Sequence, residues 1–200
     1  GEDFKVIVVI GDGSLTAVGQ GRLAEDDTRI VDFEILYRAL PASRTAAHYG
    51  SRLLFGPDGF LYVTTGERQS ALNRVKAQDL GAAWGKVLRL TPEGRPAPGN
   101  PFEGRPGALP EIYTLGHRNP QSLDRHPESG DLWLGEMGPM GGDELNRLVP
   151  GANYGWPEIS YGIEYSGAPV GRGLTVLPGM EPPVYYWDPV LAPGGMAFYT

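Results

Sequence analysis

The chain of 200 residues contains no cysteine. That excludes disulfides, thiolate metal sites and a cysteine nucleophile, and it is compatible with the cytoplasm or with an oxidising compartment where a stray thiol would be a liability. The net charge is -7 and no basic block interrupts it, so the electrostatic footprint that nucleic acid or an anionic membrane surface requires is missing. No apolar run reaches the roughly 18 residues of a membrane span, and no basic stretch leading into an apolar one opens the chain as a secretory signal would. Helical periodicity is scarce: RQSALNRVKAQDLGAAW could hold a short helical turn but reads as an insertion loop.

Turn and strand chemistry is abundant. Thirty Gly and 19 Pro, with 10 Tyr, 6 Phe and 4 Trp, favour many short strands joined by tight turns, an all-β class. With 40% hydrophobic and 20% charged residues, the chain can fill one globular core or part of a larger one. It opens in a strand already under way, GEDFKVIVVIGDGSL, and stops in another, GGMAFYT. Residues 1–200 are therefore expected to be a single domain truncated at both ends.

One segment repeats another. Residues 51–67, SRLLFGPDGFLYVTTGE, and 121–136, QSLDRHPESGDLWLGE, each give a strand, a turn built on Pro and Gly, and a second strand ending in a small polar cluster. Between them GKVLRLTPEG and EIYTLGH supply two more strands, enough for a four-stranded antiparallel sheet. KVIVVIGDG, LTAVGQGRLAED and RIVDFEILYRAL supply an earlier sheet, and YYWD with GMAFYT are expected to open a later one. Radially repeated sheets of this kind make a β-propeller with ligands at its central channel; a β-sandwich is the competing architecture.

Three clusters could carry chemistry. His48, in AAHYGSRLLF, precedes the first repeat and could be a general base, although a lone His is more often structural. Arg118 and Asn119, in GHRNPQSL, hold the comparable place before the second repeat and could converge with His48 on one ligand; a turn forced by Pro120 and tied by Arg118 explains them equally. GEMGPMGGDELN, residues 135–146, combines freed carbonyls with acidic side chains, an oxygen-rich surface for a hard cation such as Ca²⁺, without the spacing of an EF-hand; a solvated turn is the alternative.

In their order, HYGSRLLFGPDGFLYVTTGE, GKVLRL, IYTLGHRNPQSL, GEMGPMGGDELN, GANYGWP and APGGMAFYT resemble the soluble aldose sugar dehydrogenases and soluble quinoprotein glucose dehydrogenases, the glucose/sorbosone dehydrogenases. The likeness runs from about His48 to the end, with a weaker lead-in from GQGRLAED. It implies a six-bladed propeller of four-stranded blades, of which this chain is a part, binding pyrroloquinoline quinone (PQQ) and calcium and oxidising the anomeric hydroxyl of an aldose to a lactone. It further implies an external electron acceptor and a periplasmic or secreted location, and it leaves a homodimer open. His48 matches the base that takes the hydroxyl proton, while Arg118 and Asn119 match contacts to PQQ, the Arg near the quinone oxygens. Met137 stands in the cofactor site where the glucose dehydrogenase branch has a Gln, and a thioether donates no hydrogen bond. Gly138 and Pro139 match the pair whose carbonyls hold the active-site calcium, Asp143 an acidic residue beside it, and Glu144 and Tyr154 the ligands of a second, structural calcium. Trp187 falls near an aromatic of the sugar or cofactor pocket, and His117 reads as structural. Ala47 stands where that branch has an acidic residue before the base, so whatever orients His48 must come from elsewhere. Two other readings use the same residues: a non-catalytic, calcium-stabilised propeller that binds a partner or sugar, and a calcium-dependent lactonase in which His48 activates water.

Overall fold

The computed structural model describes residues 5–12 and 14–199, and the ends of the opening and closing stretches lie outside them. The strands form three antiparallel sheets. The first joins β1 (Lys5–Asp12), β2 (Leu15–Leu23) and β3 (Ile30–Arg38) in chain order. The second runs β4 (Gly50–Phe55), β5 (Leu61–Thr65), β6 (Lys86–Leu90) and β7 (Ile112–Leu115), and the third β8 (Pro120–Arg125), β9 (Leu132–Glu136), β10 (Asp143–Arg147) and β11 (Tyr185–Trp187). The all-β class and the up-and-down meander of four strands are thus both observed. Successive sheets meet through their first strands, β1 against β4 and β4 against β8.

Side-chain alternation explains why the middle sheet can be covered on both faces. Leu61 and Val63 of β5 pack with Val18 of the first sheet in one core cluster, together with Leu88, Leu90 and Ile112. Their neighbour Tyr62 points the other way, joining Val87, Leu123, Leu132 and Leu134 in a second cluster against the third sheet. Every residue of β5 is buried. Each fully buried Leu or Val here contributes about 1.5–3 kcal/mol of transfer free energy.

Two expectations need correcting. YYWD does not open a later sheet: Tyr185–Trp187 closes the third one as β11, pairing Trp187 with Asp143 and Tyr185 with Leu145. The outer edge of β10 needed a partner and takes it from beyond a long irregular loop, an order that strand composition does not encode. GMAFYT forms no strand among its described residues. That segment lies instead along the second and third sheets, with Phe198 N donating to Asp124 Oδ2 at 3.0 Å. The segment between β5 and β6 holds one α-helical turn, α1 (Ala71–Arg74), and a 3₁₀ turn over Val75–Gln78. Its side chains reach the cleft described next.

Candidate active site

The two repeats are closed in the same way, and the residues that close them build the candidate site. His48, just before β4, meets Glu67, just after β5: Nδ1 to Oε1 is 2.7 Å. His117, just before β8, meets Glu136 at the end of β9 in the same way at 2.8 Å, and the partners stand 19 positions apart in both pairs. The structural counterpart of His48 is therefore His117, and Arg118 corresponds to Tyr49, one place off the expected alignment. The shift arises because Arg118 and Asn119 separate His117 from β8, where Tyr49 alone separates His48 from β4.

The environments of the two dyads differ. His117 is fully buried; its Nε2 pairs with Thr114 Oγ1 at 2.8 Å and its ring stacks on Tyr154 with centroids 4.8 Å apart. The His48 side chain is 13% exposed, and its Nε2 makes no hydrogen bond among the described residues. It lines a cleft of ≈ 340 Å³ together with Glu67, Arg74, Arg118, Trp156 and Glu164. Because an ionised carboxylate only accepts, Glu67 places the proton on Nδ1 and leaves Nε2 as the lone-pair nitrogen.

Backbone strain collects at the same spot. His48 adopts φ 51 and Ser51 φ 84, and three consecutive residues, Arg68, Gln69 and Ser70, have φ 66, 47 and 91. Left-handed non-glycine residues cost of order 1–3 kcal/mol each and persist where the surroundings over-determine them. Gly66 is required by close approach: a Cβ there would stand 2.2 Å from the His48 carbonyl oxygen.

Arg118 is 6% exposed, and its position is fixed from every side. Its backbone N donates to Glu136 Oε2 at 2.6 Å and its carbonyl accepts from Glu67 N at 2.9 Å. Its Nη1 donates to the carbonyls of Met137 at 2.9 Å and Gly138 at 2.6 Å, its guanidinium lies 5.3 Å from the Trp156 ring centroid, and its buried Nε has no partner. Asn119 Oδ1 accepts from Gly50 N at 3.1 Å, sewing β4 to β8, while its Nδ2 reaches Met137 Sδ at 3.8 Å.

Carbonyl and carboxylate oxygens gather beside Arg118. A void of ≈ 10 Å³ is lined by Glu136, Gly138, Pro139, Glu144 and Tyr154 among others. Asn146 Nδ2 donates to both Glu136 Oε1 and Glu144 Oε2 at 3.2 Å, leaving its buried Oδ1 without a partner. Burial and the neighbouring Glu136 push the Glu144 carboxyl up to about 8, since both disfavour its charged form. No cluster of three or more acidic or His side chains of metal-binding geometry exists among the described residues, so a metal here would depend on carbonyls and the Asn amide oxygen as well as carboxylates.

The remaining sequence candidates have other neighbours. Asp143 accepts from Gly138 N at 2.8 Å through Oδ1 and from Leu191 N and Ala192 N at 2.7 and 2.6 Å through Oδ2, so it braces the carbonyl loop. The Tyr154 hydroxyl donates to Arg147 O at 2.6 Å and accepts from Val149 N at 2.9 Å. Trp187 packs edge-on against Tyr185 and does not line the cleft. Sequence reasoning missed Glu67, Glu136, Arg74, Trp156 and Glu164. The first two were signalled, since each closes its repeat as the last residue after a Gly.

The chain is similar to known proteins. The Glucose / Sorbosone dehydrogenase model matches residues 8–200. Aldose sugar dehydrogenase YliI of Escherichia coli (strain K12) is 45% identical over 187 residues, covering 92% of this chain and 49% of that protein. The crystal structure of the soluble aldose sugar dehydrogenase from Escherichia coli in the apo-form superposes with a TM-score of 0.88 at 42% identity, over 98% of this chain and 56% of the other. The PQQ-bound form of the aldose sugar dehydrogenase from Streptomyces coelicolor superposes with a TM-score of 0.79 at 34% identity, over 98% and 53%. The chain spans about half the length of each of these relatives. With a family model covering nearly all of it, the chain belongs to the glucose/sorbosone dehydrogenase family.

Proposed function

We propose that the whole protein, as a six-bladed propeller, oxidises the anomeric hydroxyl of an aldose to the lactone, with PQQ and Ca²⁺ bound and electrons leaving to an external acceptor in the periplasm or outside the cell. The observation that carries this reading is the His48–Glu67 pair, 2.7 Å apart, opening with Arg118 into one cleft.

The residues present fit such a cofactor. The cleft has the volume of a small-molecule site, the buried Arg118 Nε is unpartnered, and the Trp156 indole offers a flat face. Arg118 and Asn119 would hold PQQ, with Met137 beside them. When bound, PQQ supplies acceptance of a hydride from the anomeric carbon. His48 Nε2 takes the hydroxyl proton, and Glu67 stabilises the imidazolium that results, fixing ring and tautomer together. Arg118 sets a permanent positive charge where negative charge grows. The Gly138 carbonyl, already turned to Arg118, keeps a second lone pair for a metal, with Pro139 beside it. Glu144 and Asn146, with Tyr154 adjacent, suit a second calcium.

Dye reduction by the full-length protein with PQQ, Ca²⁺ and a panel of aldoses tests the reading; a folded, PQQ-loaded protein that reduces no dye with any sugar overturns it. The same dyad could activate water for a calcium-dependent lactonase, and lactone opening without PQQ would favour that alternative.

A further inference from the structure

The cleft is also lined by an ion pair that the proton transfer does not use. Arg74 Nη1 donates to Glu164 Oε1 at 2.5 Å, with the side chains 24% and 28% exposed. The partners come from separate segments, Arg74 from the end of α1 and Glu164 from the loop between β10 and β11. Both backbones are held. Arg74 N donates to Ser70 O at 3.0 Å, and Glu164 sits in a tight turn with its N donating to Ala168 O and its O accepting from Gly167 N, both at 2.8 Å. Bridges from Ile163 to Met140 and Pro169 anchor that turn. The Arg74 guanidinium lies 5.8 Å from the centroid of the same Trp156 ring that Arg118 approaches. Among the described residues, Glu164 Oε2 and Arg74 Nε and Nη2 make no hydrogen bond.

We propose that Arg74 and Glu164 recognise the ring hydroxyls of the aldose remote from its anomeric carbon and so decide which sugar is oxidised. The assignment rests on the dehydrogenase reading of the same cleft. Adjacent sugar hydroxyls each donate and accept, and a guanidinium beside a carboxylate answers both needs with charge-assisted bonds. A sugar whose reacting carbon is at His48 must turn its other end toward another wall of the cleft, and this pair forms one. Ion pairing also holds the two segments at a set separation, so the polar groups are pre-positioned.

The test is steady-state kinetics of the full-length, PQQ- and Ca²⁺-loaded protein with an aldose and its series of deoxy analogues, comparing wild type with Arg74→Met and Glu164→Gln. Each variant should raise KM for the parent sugar about tenfold, more than it lowers kcat, as loss of a charged hydrogen bond made in ground and transition state alike predicts. The wild-type preference for the parent over at least one deoxy analogue should collapse toward parity in both variants. Uniform losses across all sugars, or unchanged ratios, in variants of an active wild type would overturn this assignment alone. A loaded wild type that oxidises no aldose would remove the dehydrogenase reading and this assignment with it.

Discussion

Glu67 Oε1 meets His48 Nδ1 at 2.7 Å, and this contact decides which nitrogen of His48 faces the cleft. The acid that orients the base comes from the end of the neighbouring strand β5, whereas the residue directly before the base is Ala47. Glu67→Gln should lower turnover by about a hundredfold or more, because an amide can stabilise the wrong tautomer and cannot balance an imidazolium. Glu67→Asp should recover part of the loss. Turnover of the loaded protein, with PQQ content measured in parallel, checks both.

His48→Ala should lower turnover by at least about a hundredfold, the lower range for loss of a general base. PQQ uptake and the circular dichroism spectrum should remain as in wild type. Unchanged turnover would remove the assigned role.

Arg118→Lys keeps the charge and loses the fork. Lysine can reach one of the two carbonyls, Met137 O or Gly138 O, that Nη1 now holds, so the carbonyl loop should loosen and PQQ affinity should fall about tenfold or more. Equilibrium dialysis against PQQ reads this without turnover.

Calcium should raise the melting temperature of the full-length protein. At about a hundred times its Kd a ligand specific for the folded state contributes about 2.7 kcal/mol. Glu144→Gln should remove part of that rise, and an identical rise in wild type and variant would place the ion elsewhere.

Lys86 gives a pH signature. Its ammonium is fully buried and donates to the carbonyls of Lys76, Ala77 and Trp84 at 2.9, 2.9 and 2.6 Å, tying β6 to the segment that carries Arg74. Burial, only partly opposed by Asp79, pulls it down to about 7. Above pH 7 the unfolded chain keeps the Lys86 proton that the folded chain sheds, so this group makes stability rise with pH; Glu144, pushed up to about 8, opposes that slope until it is ionised, and the rise should stand clear from about pH 8 to 10. Lys86→Met should abolish that slope and cost about 1–3 kcal/mol, since Trp84 O loses its donor. Urea melts at several pH values measure both.

The sheets were legible because strand and turn chemistry is local: Pro57 and Pro127 mark turns wherever they occur. The destination of YYW was not, since a three-residue strand says nothing about which edge it completes. His48 and Arg118 could be picked out by type, yet their mutual geometry needed the fold, as did Arg74 and Glu164, which meet only through two irregular segments 90 residues apart. Asp143 was legible as an acid beside the carbonyl loop, but that its oxygens accept from three backbone N–H groups there needed the fold.

The His117–Glu136 pair gives the protein an internal reference. Two histidines share one hydrogen-bond pattern, one sealed beneath Tyr154 and one facing the cleft. In a nitrogen-15 spectrum the sealed imidazole should stay silent on ligand addition while the other moves. Any reagent that shifts both resonances is perturbing the scaffold, and one that shifts only His48 reports on the site.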